Sequence, residues 1–238
     1  MTTAQKVIKY IATAFAVFLI VTIISAILNG GYALLKAFGL IHTDRNIVTE
    51  DLKVISSEVE EISTLKLELA FANLEIKTGD SFRVETNNSK ITFSNDNGSV
   101  KVKEEKYNWS ANNDNASELI IYIPENITVL DEAKIDGGVG RTELKSCEIN
   151  NLKANLGMGE FVFSGKLTGK SEVDSGVGAI NIDLLDSSKN YTIDLDKGIG
   201  AVTLNGEKLE MDRVYGTGEN YLDIDSGIGE VKINFKGE

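Results

Sequence analysis

The sequence has almost none of the residues that catalytic and metal chemistry most often uses. It holds one histidine, His42, and one cysteine, Cys147, in 238 residues. These counts exclude a Ser-His-Asp or Cys-His site in the body of the chain, a zinc site of His and Cys ligands, and an intrachain disulfide. No basic residue is obviously positioned to make Cys147 a thiolate, so we expect a small buried filler. We predict no catalytic residue, no cofactor and no enzymatic activity.

Proline is also scarce, with Pro124 the only one, and positive charge is in the minority. A body rich in Gly, Asn, Asp, Val and Ile with so little proline is typical of many short strands joined by tight turns. The net charge is −12. The first 45 residues carry four basic side chains and one acidic one, so the rest carries −15. Because an acidic body repels phosphates, we predict no nucleic-acid partner.

A charge-free run at residues 10–28 predicts a transmembrane anchor, since nineteen helical residues span about 28 Å. Lys6 and Lys9 precede it, which favours a cytoplasmic N-terminus. A cleaved signal peptide is the rival interpretation, but the run is long for one and no Ala-x-Ala site follows. We therefore expect a single-pass protein in the cytoplasmic membrane with an extracytoplasmic body. The predicted segments are a tail and anchor at 1–41, a linker at 42–62 and a β-strand-repeat domain at 63–238.

From Leu65 onward the apolar pattern has a period of two, which is typical of strands. Asn97-Gly98 lies between two alternating runs and predicts a hairpin. Pro124 is expected to end the strand that begins near Leu119, because proline donates no ladder hydrogen bond.

Five segments align without gaps around a Gly-x-Gly core, and their first glycines are 19, 19, 22 and 29 residues apart. Such self-similarity predicts an all-β fold built as a β-solenoid or β-helix-like stack. Ala70-Phe71-Ala72 reads as an earlier, degenerate copy. The predicted turn glycines are Gly138, Gly140, Gly157, Gly159, Gly176, Gly178, Gly198, Gly200, Gly227 and Gly229.

The residues around each Gly-x-Gly predict which side chains face the core. Pairs two apart, such as Phe161/Phe163 and Ile180/Ile182, are expected to point inward. The residue between the two glycines is always apolar and is expected to fill a core corner. These residues are Val139, Met158, Val177, Ile199 and Ile228.

An acidic residue precedes most copies of the glycine pair, and two interpretations are open. The first is turn chemistry, in which Asp or Asn accepts hydrogen bonds from nearby amides. The second is a calcium ladder of Asp136, Asp174, Asp196 and Asp225. Calcium β-rolls place Asp after the glycines in a nine-residue repeat, a pattern absent here, so turn chemistry is favoured.

The N-terminal anchor, the Leu119–Pro124 strand and the repeated Asp-x-Gly-Val/Ile-Gly motif together resemble the bacterial DUF4097 family of β-strand-repeat proteins. The resemblance covers about residues 60–238, and the family carries the label of putative adhesins. It implies a right-handed β-solenoid-like domain in the cell envelope. It brings no catalytic residues to this chain.

Three functions are compatible with these patterns. The first is a non-catalytic envelope protein that presents its repeat domain to a protein, glycan or cell-wall partner. The second is an accessory or regulatory subunit of an envelope-stress or membrane-protein complex. The third, a glycan-acting β-helix enzyme, would need carboxylates such as Glu143, Glu160 and Glu230 to line a cleft.

Overall fold

The computed structural model describes residues 51–105, 116–127, 129–210 and 213–237. The predicted anchor at 10–28 lies outside these residues. In the described part, no helix has the length and apolar character needed to cross a bilayer. The strands are β1 (Lys53–Val54), β2 (Thr64–Gly79), β3 (Arg83–Thr86), β4 (Ile91–Asp96), β5 (Ser99–Glu104), β6 (Ser117–Pro124), β7 (Glu132–Ile149), β8 (Leu152–Leu167), β9 (Lys170–Leu184), β10 (Tyr191–Leu204), β11 (Glu207–Lys208), β12 (Arg213–Gly216) and β13 (Asn220–Phe235), with a 3₁₀ turn at Ser188–Asn190.

The all-β class is confirmed, and the strands form one large mixed sheet. Its main path runs β1-β3-β6-β2-β7-β8-β9-β13-β10-β11. The six long strands β2, β7, β8, β9, β13 and β10 are adjacent and parallel, and the short strands cover the two ends of this stack. The stacking order departs from chain order at one place, because β13 lies between β9 and β10.

The long strands must curl round the core. Strand β8 has 16 residues and would span roughly 50 Å if it were straight. Only Thr168 and Gly169 separate it from β9, whose Glu172 nevertheless pairs with Lys153 near the start of β8. Two residues cannot bridge such a distance. Each strand therefore bends until its end approaches its beginning, and the next strand stacks in register on the previous one.

The core fills the inside of this curl, and the predicted inward pairs are confirmed. Phe161, Phe163, Ile180 and Ile182 are at most 1% exposed. In β8 and β9 the alternation that buries them is interrupted once, where the inward parity changes across the Gly-x-Gly. Outward side chains therefore fall into two sets on each strand, one before and one after this corner.

The second glycine of each pair makes the corner possible. Gly178 has φ +153°, and a Cβ atom there would lie 1.6 Å from the carbonyl oxygen of Gly159 on the neighbouring strand. Gly229 has the same relation to the carbonyl of Gly178, at 1.5 Å. Only glycine tolerates both the positive φ and this approach of two backbones. The corners consequently stack directly on one another along the sheet.

The covering strands agree with the local predictions. Asp96 pairs with Ser99, and Asn97 and Gly98 both have positive φ, as a two-residue hairpin requires. Pro124 ends β6 as expected. Strand β1 lies inside the segment predicted as linker, and Val59 and Ile62 in that segment are buried in the core.

Candidate functional site

The in-register stack converts each position of the repeat into a column of side chains that crosses the strands. Neighbouring members of a column are about 4.8 Å apart. Two columns at the corner, together with the acidic residues that precede it, define the candidate surface. The glycine strip is Gly138, Gly157, Gly176, Gly227 and Gly198, and the apolar column is Phe71, Val139, Met158, Val177, Ile228 and Ile199.

The prediction that the residue between the glycines fills a core corner is wrong. Val177 is 40%, Ile228 48% and Ile199 68% exposed, and Val139 and Met158 are half-buried. The parity change places the core-facing side chains on either side of the glycine pair, so the residue between them points outward. The apolar column is therefore a surface stripe, most exposed on the last three strands of the stack.

Three glycines of the strip lie in the floor of a shallow groove on β8, β9 and β13, beside this stripe. Gly157, Gly176 and Gly227 line a hollow together with Asp174 and Asp225. The acidic residue stands three positions before the apolar one, so the acidic and apolar columns run on either side of the glycine strip, at most about 10 Å apart. Since glycine has no side chain, another molecule could approach the backbone closely between them.

The wall before the corner is acidic on β9, β13 and β10. Each of these strands presents two outward carboxylates, and their register places them opposite one another. We call this set the acidic face. Its members are Glu172, Asp174, Asp223, Asp225, Asp194 and Asp196.

The acidic face is poorly neutralised. Among the described residues, only Glu172 of the six forms an ion pair, with Lys153 at 2.9 Å. Asp194 accepts a hydrogen bond of 2.7 Å from the Tyr221 hydroxyl. Burial raises the pKa of the Asp174 carboxyl, and repulsion from Glu172 and Asp225 adds to this shift.

The pKa of Asp223 is raised in the same way. Burial is the larger cause, and repulsion from Asp194 is the next. The nearby ammonium of Lys170 acts in the opposite direction. Two adjacent strands thus each carry a carboxylate whose pKa is raised, chiefly by burial and further by the like charges beside it.

Beyond the corner, on β2, β7 and β8, the outward charges are paired. We call this set the paired face; it comprises Glu75, Arg141, Glu143, Lys145 and Glu160. Lys145 contacts Glu75 at 3.0 Å and Glu143 at 3.2 Å. Arg141 pairs with both Glu143 and Glu160. Burial pushes the pKa of Glu75 upward, but hydrogen bonds from Lys77 and Lys145 outweigh it and the pKa is lowered.

The carboxylates considered for a glycan-acting enzyme lie on the far side of the corner. Glu143 and Glu160 belong to the paired face, and Glu160 also accepts a hydrogen bond of 3.0 Å from Asn181. Glu230 pairs with Lys232 at 2.9 Å on the same strand. Each of the three is held by a neighbouring cation on an outward surface.

The four aspartates of the calcium hypothesis are not one uninterrupted ladder. Asp174, Asp225 and Asp196 are consecutive in the stack, whereas Asn155 separates Asp136 from them and donates to its carboxylate at 2.7 Å. Within the described ranges, no group of three or more His, Cys, Asp or Glu side chains is placed to hold a metal ion.

The position before the first glycine points inward, which the repeat alignment did not reveal. Ser175, Ser226 and Lys197 occupy it on the last three strands and are all buried. The Ser226 hydroxyl has no hydrogen-bond partner in the described part of the chain. Burial lowers the pKa of Lys197, whose ammonium donates to the carbonyl of Ile199 at 2.9 Å.

Cys147 lies away from this surface. It is buried, and its thiol contacts the carbonyl oxygen of Lys145 at 3.3 Å. Burial raises the pKa of the thiol to about 12. The expectation of a buried filler is confirmed, because a thiol with this pKa stays protonated at neutral pH.

The sequence matches no family model and no curated protein. Solved structures with a similar fold include a putative cell adhesion protein from Clostridium sporogenes, at 20% identity and a TM-score of 0.52, covering 78% of this chain and all of the other. A putative adhesin from Bacteroides fragilis has 11% identity and a TM-score of 0.37, with coverages of 78% and 98%. A putative lipid binding protein from Parabacteroides distasonis has 13% identity and a TM-score of 0.27, with coverages of 78% and 96%.

Only the first of these has a TM-score above 0.5, and at its level of identity the likeness concerns the fold alone. The chain therefore shares its all-β architecture with a protein whose name refers to cell adhesion. Membership of the DUF4097 family stays a prediction from the repeat motif.

Proposed function

We propose that this chain is a non-catalytic envelope protein whose repeat domain serves as an interaction or adhesion module. In this proposal residues 10–28 anchor it in the cytoplasmic membrane, and the domain projects from the outer face as a β-solenoid. The partner would be a protein or a component of the cell wall.

The observation that carries the proposal is the unneutralised acidic face beside an exposed apolar column on a stacked sheet. Six carboxylates on three adjacent strands share one ion pair within the described residues. Val177, Ile228 and Ile199 are exposed next to them. Buried side chains fix the backbone beneath both features. A surface that combines carboxylates without ion-pair partners and solvent-exposed apolar side chains is suited to binding another molecule.

The curl and the register support the β-solenoid interpretation. The chain completes a circuit of 19 residues from β7 to β8 and again from β8 to β9, and these strands stack in parallel. In such a stack each unit contacts only its neighbours, so a long flat outer surface comes with the architecture. The fold shared with the cell adhesion protein of Clostridium sporogenes is consistent with this role.

Protease treatment of intact spheroplasts tests the location. We expect the domain to fractionate with membranes and to be degraded by external protease, while a cytoplasmic marker stays intact. Full protection of the domain in intact spheroplasts, with degradation after lysis, would contradict the proposed topology.

A further inference from the structure

Two chemically different columns flank the glycine strip, and we call them the walls of the groove. One contains Asp174, Asp225 and Asp196, and the other contains Val177, Ile228 and Ile199. The floor between them is glycine. From β8, where the hollow begins, to β10, where the two columns end, this surface crosses four strands, or about 14 Å at 4.8 Å per strand. This length corresponds to roughly four residues of extended polypeptide.

We propose that the groove binds a polypeptide segment of another protein that has basic side chains along one side and apolar side chains along the other. The inference rests on the proposed function, because it names the partner of the same interaction module. Basic side chains would contact the aspartates, and apolar side chains would cover the exposed valine and isoleucines. Alternation of the two kinds in an extended segment places them on opposite sides.

Charge decides between this occupant and the alternatives. A second copy of the chain is disfavoured because the body carries −15 and would bring one acidic face against another. An anionic membrane surface is disfavoured for the same reason. A glycan is disfavoured because the most exposed wall residues are aliphatic and offer no aromatic platform. A segment with both basic and apolar side chains makes favourable contacts with both walls.

The test uses the full chain in detergent and a fluorescent heptapeptide, Lys-Val-Lys-Val-Lys-Val-Lys, blocked at both ends. Binding is followed by fluorescence anisotropy at low and physiological salt. We expect saturable binding that weakens at least threefold between 20 and 150 mM salt, since exposed charges are screened over about 8 Å at the higher value. Peptides in which serine replaces valine, or glutamate replaces lysine, are expected to bind at least tenfold more weakly.

Matched variants locate the site. Asp225→Asn and Ile228→Ser change the two walls on β13, and each is expected to weaken binding about fivefold, equivalent to roughly 1 kcal/mol. Glu230→Gln removes the same charge from β13 beyond the corner, and Leu185→Ser changes an apolar residue that is 54% exposed outside the groove. Both controls should leave binding within twofold.

Several results would overturn the proposal. No binding up to 1 mM peptide would do so, as would equal binding of the valine and serine peptides. Equal loss in Asp225→Asn and Glu230→Gln would show that net charge alone attracts the peptide. A concentration-dependent dimer that Asp225→Asn abolishes would assign the groove to a second copy, and peptidoglycan fragments that displace the heptapeptide would assign it to a glycan. The spheroplast experiment is independent, because a protected domain that binds the peptide would refute the location and leave the groove intact.

Discussion

Two outward faces of one stack treat charge in opposite ways: the acidic face before the glycine corner on β9, β13 and β10, and the paired face after it on β2, β7 and β8. Before the corner, the acidic face places six carboxylates on β9, β13 and β10 with one ion pair in the described structure. After it, the paired face surrounds each of its glutamates with lysine or arginine. Because similar strands run through both regions, the backbone does not explain the difference. The side chains at outward positions assign each face its own electrostatic character.

The largest effect is expected at the corner itself, which both faces need. Gly178→Ala forces a Cβ atom to within 1.6 Å of the Gly159 carbonyl oxygen at a φ of +153°. We expect a loss of about 3 kcal/mol or more in the free energy of unfolding, because neither the strain nor the overlap is relieved without separating β8 from β9. Thermal and urea unfolding of both proteins provide the measurement.

A second glycine separates the two causes. Gly206 also has positive φ, at +82°, but a Cβ atom there would meet nothing within 4 Å. Gly206→Ala should therefore cost about 1–2 kcal/mol, from conformation alone. If the two substitutions destabilise the protein equally, the close approach of stacked corners is not what requires glycine at 178.

The next effect distinguishes the core from the apolar column. Ile180 is fully buried, whereas Ile199 is 68% exposed. Ile180→Ala should lower the free energy of unfolding by about 2–5 kcal/mol, and Ile199→Ala by less than about 0.5 kcal/mol. The midpoints of urea unfolding give both free-energy changes, provided that the dependence of the unfolding free energy on urea concentration is the same in each protein. A large loss at Ile199 would restore the interpretation that the residue between the glycines fills the core.

The smallest effect concerns charge. Asp223→Asn should stabilise the protein by about 0.3 kcal/mol at pH 7, because it removes the charge of a partly buried carboxylate that Asp194 also repels. Glu75→Gln should destabilise it by about 0.5 kcal/mol, because Lys77 and Lys145 lose a charged partner. Opposite signs are the essential expectation. Substitutions that both stabilise, or both destabilise, would remove the contrast between the two faces.

The dependence on pH follows from the direction of each pKa. The pKa of Asp223 is raised in the folded state, so the gain from Asp223→Asn is expected to fade as pH falls through that folded pKa and to be absent below the unfolded value near 3.9. The pKa of Glu75 is lowered, so its contribution is present at neutral pH. That contribution is lost as pH falls through the unfolded and then the folded pKa. In acid, both variants should therefore have the same free energy of unfolding as the parent protein. The stabilisation by Asp223→Asn and the destabilisation by Glu75→Gln both fall to zero.

What the sequence could predict was local. The alternation at Phe161/Phe163 and Ile180/Ile182 specifies an inward face, since side chains alternate across a strand. The Asn97-Gly98 hairpin is equally local, because two residues determine the turn. These features need no knowledge of the neighbouring strands.

The rest depended on geometry that the pattern does not contain. Val177 and Ile199 read as core residues because they are apolar in every repeat, but the glycine beside them changes which face of the strand is inward. The place of β13 between β9 and β10 was equally hidden. Repeats that are nearly identical offer nearly identical edges, so their sequences do not state which edges meet. The acidic face arises from that order, because it brings Asp223 and Asp225 between the carboxylates of β9 and β10.

A titration of individual carboxyl groups by ¹³C NMR tests the central contrast most directly. Asp174 and Asp223 should titrate above the ordinary aspartate value near 3.9, and Glu75 should titrate below the ordinary glutamate value near 4.3. Raising the salt concentration should move all three toward their ordinary values, because part of each shift comes from neighbouring charges. Ordinary values for Asp174 and Asp223 at low salt would contradict an unneutralised acidic face, and with it the surface on which the proposed interaction depends.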